Sequence, residues 1–256
     1  MSALLTVEGL RHGFYGVQVL NGASFEVRQG TVTGLIGPNG AGKSTAINAI
    51  SGALLPQGGR VSFAGTDITR LPPRERVGLG LVRSFQLARG FPRLSVFDHL
   101  MLYGQGHPGE GFWQSLTGGR AGRQHEERLA ETALSVARRL KLDHVIDNPV
   151  SALSGGQKKL VEIGRALMAE PRMILFDEPM AGVNPTLSAQ IAEHLTALNE
   201  EGITICLIEH DMAMVARLCD PVIVMAEGRK MTEGSFAEVV ADKAVQEAYL
   251  GVRHDA

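Results

Sequence analysis

"TVTGLIGPNGAGKSTAINAISG", residues 31–52, decides how the rest of the chain is read. A short apolar run containing β-branched residues ends at Gly37, a polar loop follows, and a helical pattern begins at Lys43. Gly37, Gly42, Lys43 and Ser44 fit the spacing G-x-x-x-x-G-K-[ST] between a strand and a helix. Together with Gly40, these glycines let backbone N–H groups turn inward around phosphate oxygens. The start of the following helix adds positive potential at the same place. Lys43 is placed to reach the β and γ phosphates of a nucleotide and Ser44 to offer its hydroxyl to Mg2+, with Asn39 and Thr45 completing the phosphate loop. By average residue frequencies a chance match in a chain of this length has a probability of roughly one in a hundred. The strand–loop–helix context lowers that further.

Outward from this loop, "RMILFDE" (172–178) and "ITICLIEH" (203–210) read as further strands, with helical periodicity in "LSAQIAEHLTALNEEG" (187–202) between them. Near-continuous apolar runs of this length suit strands covered on both faces, as in a parallel sheet flanked by helices. The N-terminal stretch and "GGRVSFAGTDI" (58–68) read instead as short antiparallel strands joined by turns. From residue 86 to 154 the pattern is helical, interrupted by the glycine-rich "GQGHPGEGFWQSLTGGRAGRQ" (104–124), which reads as a loop. The predicted fold is α/β. A mostly parallel nucleotide-binding core (1–85 and 155–256) carries an N-terminal antiparallel β subdomain and a helical insertion (86–154).

In a parallel sheet the ligand crevice lies at the carboxyl ends of the strands. Asp177 and Glu178 close one strand there, Asp177 suited to the Mg2+ shell and Glu178 to polarising an attacking water. A histidine just past a strand end is commonly a cap or surface residue. The position of His210 at the same sheet edge points to contact with a γ-phosphate. A second glycine turn opens "LSGGQKKLVEIGRALM" (153–168), directly before an amphipathic helix. Ser154, Gly155, Gly156 and Gln157 make an anion site there by the same physics as the first loop. One γ-phosphate does not easily sit at two helix N-termini in separate parts of one chain, so the second loop is expected to serve a nucleotide held by another subunit. The simpler reading is a helix capped by Ser154.

Composition sets the outer limits. The chain has 256 residues, 25 basic and 27 acidic side chains and a formal charge of −2, which argues against a dedicated nucleic-acid partner. Its two cysteines, Cys206 and Cys219, lie in apolar stretches and read as buried thiols in a reducing compartment. The eight histidines show no metal-ligand spacing. "MSALLTVEGLR" lacks the basic start and long apolar run of a secretory signal, and no run approaches the ~20 apolar residues of a membrane span. The expected location is the cytoplasm, with any membrane role exercised through a partner.

Taken together, the motifs resemble those of the ATPase subunits of ABC transporters. "GPNGAGKST" is similar to the Walker A loop, "MILFDE" to the Walker B strand, and "LSGGQ" to the ABC signature; His210 matches the switch histidine. The resemblance makes Gln86, in "LVRSFQ", the Q-loop glutamine near the metal and the reacting phosphate. It implies ATP and Mg2+ as ligands and a head-to-tail dimer in which each signature loop faces the partner's nucleotide. It also implies an adenine-stacking aromatic near the N-terminus, Phe14 by gap-free counting or its neighbour Tyr15.

"LIEHDM", "AGVNP", "VRSFQ" and "AYLG" resemble the ATPases of branched-chain amino acid importers in particular. That resemblance implies a second ATPase subunit, identical or related, integral membrane permease subunits, a substrate-binding protein at one remove, and a peripheral location on the inner face of the membrane. One departure from most ABC proteins is Asn184, where aspartate is common. Urea importers and lipid exporters share these motifs and stay open as alternatives. A soluble ABC ATPase of repair or translation would bring a long coiled coil or a second cassette, and the chain has neither. The segment "LARGFPRLSVFDHL" (87–100) carries Phe91, Leu94 and Phe97 around Pro92, more apolar bulk than a solvated loop needs. It reads either as a permease docking surface or as packing of the helical insertion.

Overall fold

The computed structural model describes residues 2–84, 91, 93–104 and 120–250. It divides into two compact units, Met1–Arg83 with Arg172–Ala256, and Ser84–Pro171. In the first unit β1 (Ala3–Phe14), β2 (Val17–Arg28), β4 (Gly58–Phe63) and β5 (Thr66–Asp67) form an antiparallel sheet in the order β2-β1-β4-β5. A second sheet runs β10-β9-β3-β8-β7-β6, built from β3 (Val32–Ile36), β6 (Leu81–Arg83), β7 (Met173–Asp177), β8 (Thr204–Ile208), β9 (Val222–Ala226) and β10 (Arg229–Gly234). From β9 to β6 every pairing is parallel, and β10 closes the edge antiparallel to β9.

The two sheets differ in the way their sequences do. Every residue of β3, β8 and β9 is buried, as expected of strands covered on both faces. β2 alternates, with Ala23, Phe25 and Val27 inward and Ser24, Glu26 and Arg28 outward. Between the sheets lies α1 (Lys43–Ser51), the helix after the glycine loop. Its Ala46, Ile47, Ala49 and Ile50 join one apolar cluster with Leu5, Leu20, Phe25 and Phe63 of the first sheet and Met173, Leu175, Cys206 and Met225 of the second. Each fully buried isoleucine or leucine contributes about 1.5–3 kcal/mol, so α1 is anchored along its length. Its C-terminal carbonyls are met by Arg76, from α2 (Pro73–Gly78), which is 2% exposed. The guanidinium Nη1 donates to the carbonyls of Ala49 and Ile50, each at 2.7 Å. A cation on orphan carbonyls at a helix end satisfies both their hydrogen bonds and the helix dipole. Cys206 and Cys219 are buried, and burial pushes both thiols up to about 12.

The second unit contains α3 (Val96–Met101), α4 (Arg120–Arg139) and α5 (Gly155–Leu167). Its boundaries, after Arg83 and Pro171, differ from the 86–154 expected, because α5 packs with the other helices of this unit. Gly164 of α5 sits so close to them that a Cβ there would lie 2.8 Å from Leu100 Cδ2 and 3.1 Å from Leu140 Cδ1. α4 begins at Arg120, inside the stretch read as loop; its Ala- and Glu-rich run outweighs the ~1 kcal/mol cost of Gly122. The rest of that glycine-rich stretch, apart from Gly104, lies outside the described residues.

Back in the first unit, α6 (Pro185–Glu200) follows β7, and α7 (Met212–Leu218) follows β8. α8 (Phe236–Ala241) and α9 (Lys243–Leu250) end the described chain. Asn184 caps α6, its Oδ1 accepting the Leu187 N–H at 2.9 Å, so the departure from aspartate keeps the cap.

Candidate active site

The glycine loop bends because its glycines adopt backbone angles closed to other residues. Gly37, Gly40 and Gly42 have φ of 149°, 81° and 95°, and a Cβ on Gly37 would lie 2.0 Å from the Met225 carbonyl oxygen. Gly42 precedes α1 without a side-chain cap, so the first-turn N–H groups of Lys43, Ser44 and Thr45 are presented to a ligand. Asn39 and Gly40 are exposed at the loop tip. Lys43 is 6% exposed and folds back, its Nζ donating to the carbonyls of Gly37 at 2.7 Å and Pro38 at 3.1 Å. Burial lowers its pKa, against the attraction of Glu178 and Asp177, which places both carboxylates in the field of the ammonium.

Those carboxylates arrive from β7. The parallel register pairs Asp177 with Ile208, so the residues after each strand end meet. Glu178 has φ of 52°, a left-handed conformation costing a non-glycine residue about 1–3 kcal/mol, and its N–H donates to the Ile208 carbonyl at 2.9 Å. His210 Nε2 lies 2.7 Å from Glu178 Oε1, both side chains a little under half exposed. A carboxylate, an imidazole and a bent glycine loop thus share one edge of the sheet, an arrangement suited to attack of water on a terminal phosphate.

Sequence reasoning missed the partner of Asp177. Arg83, at the end of β6, donates from Nη2 to Asp177 Oδ2 at 2.9 Å and from Nη1 to Asn48 Oδ1 of α1 at 2.5 Å. The clue was available: an arginine closing an apolar strand needs a carboxylate. Asn48 lies one turn below Ser44 on the same face of α1. A hydroxyl and a carboxylate, Ser44 and Asp177, offer hard oxygen donors fit for a divalent cation that keeps water and phosphate ligands. Gln86, the third metal-site candidate, lies outside the described residues.

Phe14 ends β1, 42% exposed, its ring edge against His12 at a centroid distance of 4.6 Å. Tyr15 and Gly16 form the two-residue hairpin turn, both at positive φ, and leave the Tyr15 side chain wholly in solvent. A held aromatic face favours Phe14 over Tyr15 as a stacking platform. In the second unit Ser154 caps α5, its Oγ accepting from Gln157 N–H at 3.2 Å while Gln157 Oε1 accepts from Ser154 N–H at 3.0 Å. The capping role weighed from the sequence is therefore present. It leaves the Ser154 O–H free to donate, and it occupies the Gln157 side chain locally. Gly155 and Gly156 form the first turn of α5.

A sequence model described as ABC transporter matches residues 20–181, well over half the chain. The protein belongs to the ABC transporter ATPase family. A second model, described as branched-chain amino acid ATP-binding cassette transporter, matches residues 229–255. Among relatives, the chain is 41% identical to the "Probable branched-chain amino acid transport ATP-binding protein LivG" of Methanocaldococcus jannaschii, covering 97% of both chains. It is 31% identical to the lipopolysaccharide export system ATP-binding protein LptB of Escherichia coli, over 97% of this chain and 98% of that one. The crystal structure of the ADP conformation of MJ1267, an ATP-binding cassette of an ABC transporter, superposes with a TM-score of 0.86 at 40% identity. That likeness covers 98% of this chain and 100% of the other. As a member of this family the chain is an ATP-hydrolysing transport ATPase.

Proposed function

We propose that this ABC ATPase drives uptake of branched-chain or other hydrophobic amino acids through separate membrane permease subunits, with a substrate-binding protein acting indirectly. The observation that carries the substrate class is the C-terminal stretch 229–255, similar to the branched-chain amino acid cassettes in particular. The loop Gly37–Thr45 and Lys43 bind the ATP phosphates, and Phe14 stacks on adenine. Ser44, Asp177 and Gln86 would hold Mg2+, which would supply positive charge to offset that of the nucleotide phosphates. Glu178 takes a proton from water as its oxygen bonds to the γ-phosphorus and the bond to the β–γ bridging oxygen breaks. His210 Nε2, which faces Glu178 Oε1 here, turns its N–H to the γ-phosphoryl oxygens when ATP is bound and frees Glu178 for the water. Ser154, Gly155, Gly156 and Gln157 contact the ATP of a second, identical or related subunit in a head-to-tail dimer.

Among the described residues no helix is long and apolar enough to cross a membrane, so the membrane role falls to the permeases. Residues 87–90 and 92 of the docking candidate lie outside the described residues; Phe91 itself, 58% exposed, supports docking, and the chain then sits peripherally on the cytoplasmic face. Lipid export is a second reading, supported by the likeness to LptB. Reconstitution with the membrane subunits that co-purify tests both: ATP-dependent uptake of labelled leucine, isoleucine or valine is expected. Urea uptake, or lipid extraction without amino-acid uptake, would overturn the importer reading.

A further inference from the structure

Between β8 and His210 stands Glu209, a carboxylate 4% exposed that no step of hydrolysis requires. Its Oε1 accepts the Met180 N–H at 2.8 Å and its Oε2 the His210 N–H at 3.2 Å, and the Asp211 N–H also points at it. Met180 lies two residues beyond Glu178, on a different loop from His210. A single buried carboxylate therefore ties together the two loops that carry the reacting pair.

The tie adds to what the strand ends already fix, the register of Asp177 with Ile208 and the Glu178 N–H on the Ile208 carbonyl, by reaching the turns beyond them. Glu178 and His210 side chains are 41% and 45% exposed, so packing covers each only in part. Their 2.7 Å separation is set by where the two backbones stand, and Glu178 is in a strained conformation that persists only when its surroundings enforce it. Burial, with the nearby Glu178 charge adding to it, raises the Glu209 pKa, while the backbone N–H groups oppose that rise. A charge kept in such a place is held by its donors, and those donors belong to both loops.

We propose that Glu209 is a positioning residue: by accepting backbone N–H groups from the Met180 loop and the His210 loop with one carboxylate, it sets the register in which Glu178 and His210 act on the same water and γ-phosphate. This rests on the roles given to Glu178 and His210 above. A misplacement of about 1 Å costs on the order of 10²-fold in rate, whereas ATP binding, made by the glycine loop, does not depend on this tie.

The test is Glu209→Gln, which keeps the shape but sets an N–H₂ donor against a backbone N–H. The expected result is a kcat lowered by about 10–100-fold with KM for ATP changed less than about threefold. In the His210→Ala background the same substitution should add less than about twofold, because its effect runs through the pair. Glu209→Asp, too short to span both loops, should behave like the glutamine variant and guards against misfolding of either one. A kcat within about twofold of wild type, or a full additional loss on top of His210→Ala, overturns the proposal. So does a parallel fall in kcat, ATP affinity and melting temperature in both variants, which would make Glu209 a general brace. Active Glu178→Gln and His210→Ala proteins would instead refute the roles of the pair themselves.

Discussion

Replacing Lys43 by methionine separates what the lysine does for nucleotide from what it does for the fold. The ammonium is buried with two loop carbonyls at 2.7 and 3.1 Å, and its pKa is lowered by that burial despite Glu178 and Asp177 nearby. The charge is therefore less comfortable in the nucleotide-free fold than in water. Hydrogen bonds to a charged group are worth about 1.5–3 kcal/mol each, against a desolvation cost of several kcal/mol for an ammonium. Methionine keeps the apolar stem, and the two carboxylates retain Arg83 and His210 as partners. The nucleotide-free variant should thus stay within about 1 kcal/mol of wild type, on the stabilised side. Phosphate binding loses a charged contact of about 3–4 kcal/mol, or roughly 10²–10³ in affinity. The pH dependence has a definite sign. Between the lowered folded value and 10.5 the unfolded chain holds more protons at this site, so wild-type stability rises with pH through that window. The methionine variant lacks this slope. Urea midpoints at about pH 7 and about pH 10, with ATP titrated by calorimetry, measure both effects. A destabilisation above about 3 kcal/mol, or ATP affinity within about threefold of wild type, would refute the reasoning.

Glu178→Gln keeps the shape but not the base, so phosphate release should fall by about 10²–10⁴ with ATP affinity preserved; near wild-type turnover would end the assignment. Gly37→Ala puts a Cβ 2.0 Å from a backbone oxygen of β9 at a φ of 149°, and should cost about 3–5 kcal/mol in urea unfolding. A loss under about 1 kcal/mol would mean the loop moves freely. Mixing inactive Lys43→Ala and Ser154→Arg proteins should restore up to about half the activity per mixed dimer, since both lesions then fall in one site. No rescue in a mixture with proven mixed dimers would count against independent sites completed in trans.

Much of the fold was legible because its signals are local. The parallel core showed in runs such as 173–177 and 204–208, whose apolar character follows from being covered on both faces, and α5 showed in the spacing of Leu160, Ile163 and Leu167 behind the capping Ser154. The compact units divide after Arg83 and Pro171 rather than at 86 and 154, since a glycine turn marks where a helix begins, not which helices it packs against. That choice rests on the close approach at Gly164.

By itself the sequence determined where the side chains proposed for the chemistry stand in their elements: Lys43 and Ser44 at a helix start, Asp177 and Glu178 at one strand end, His210 at another. Each follows from a motif a few residues long, whose backbone geometry its own residue types impose. Only the tertiary structure decided who stands beside whom. Arg83 meets Asp177 across 94 positions, Met180 meets Glu209 across 29, and Arg76 reaches the end of α1 across 26 and 27. Those meetings depend on the strand order β3-β8-β7-β6 and the pairing of Asp177 with Ile208. Strand order is set by burial summed over the whole core, a quantity that no local pattern of residues contains.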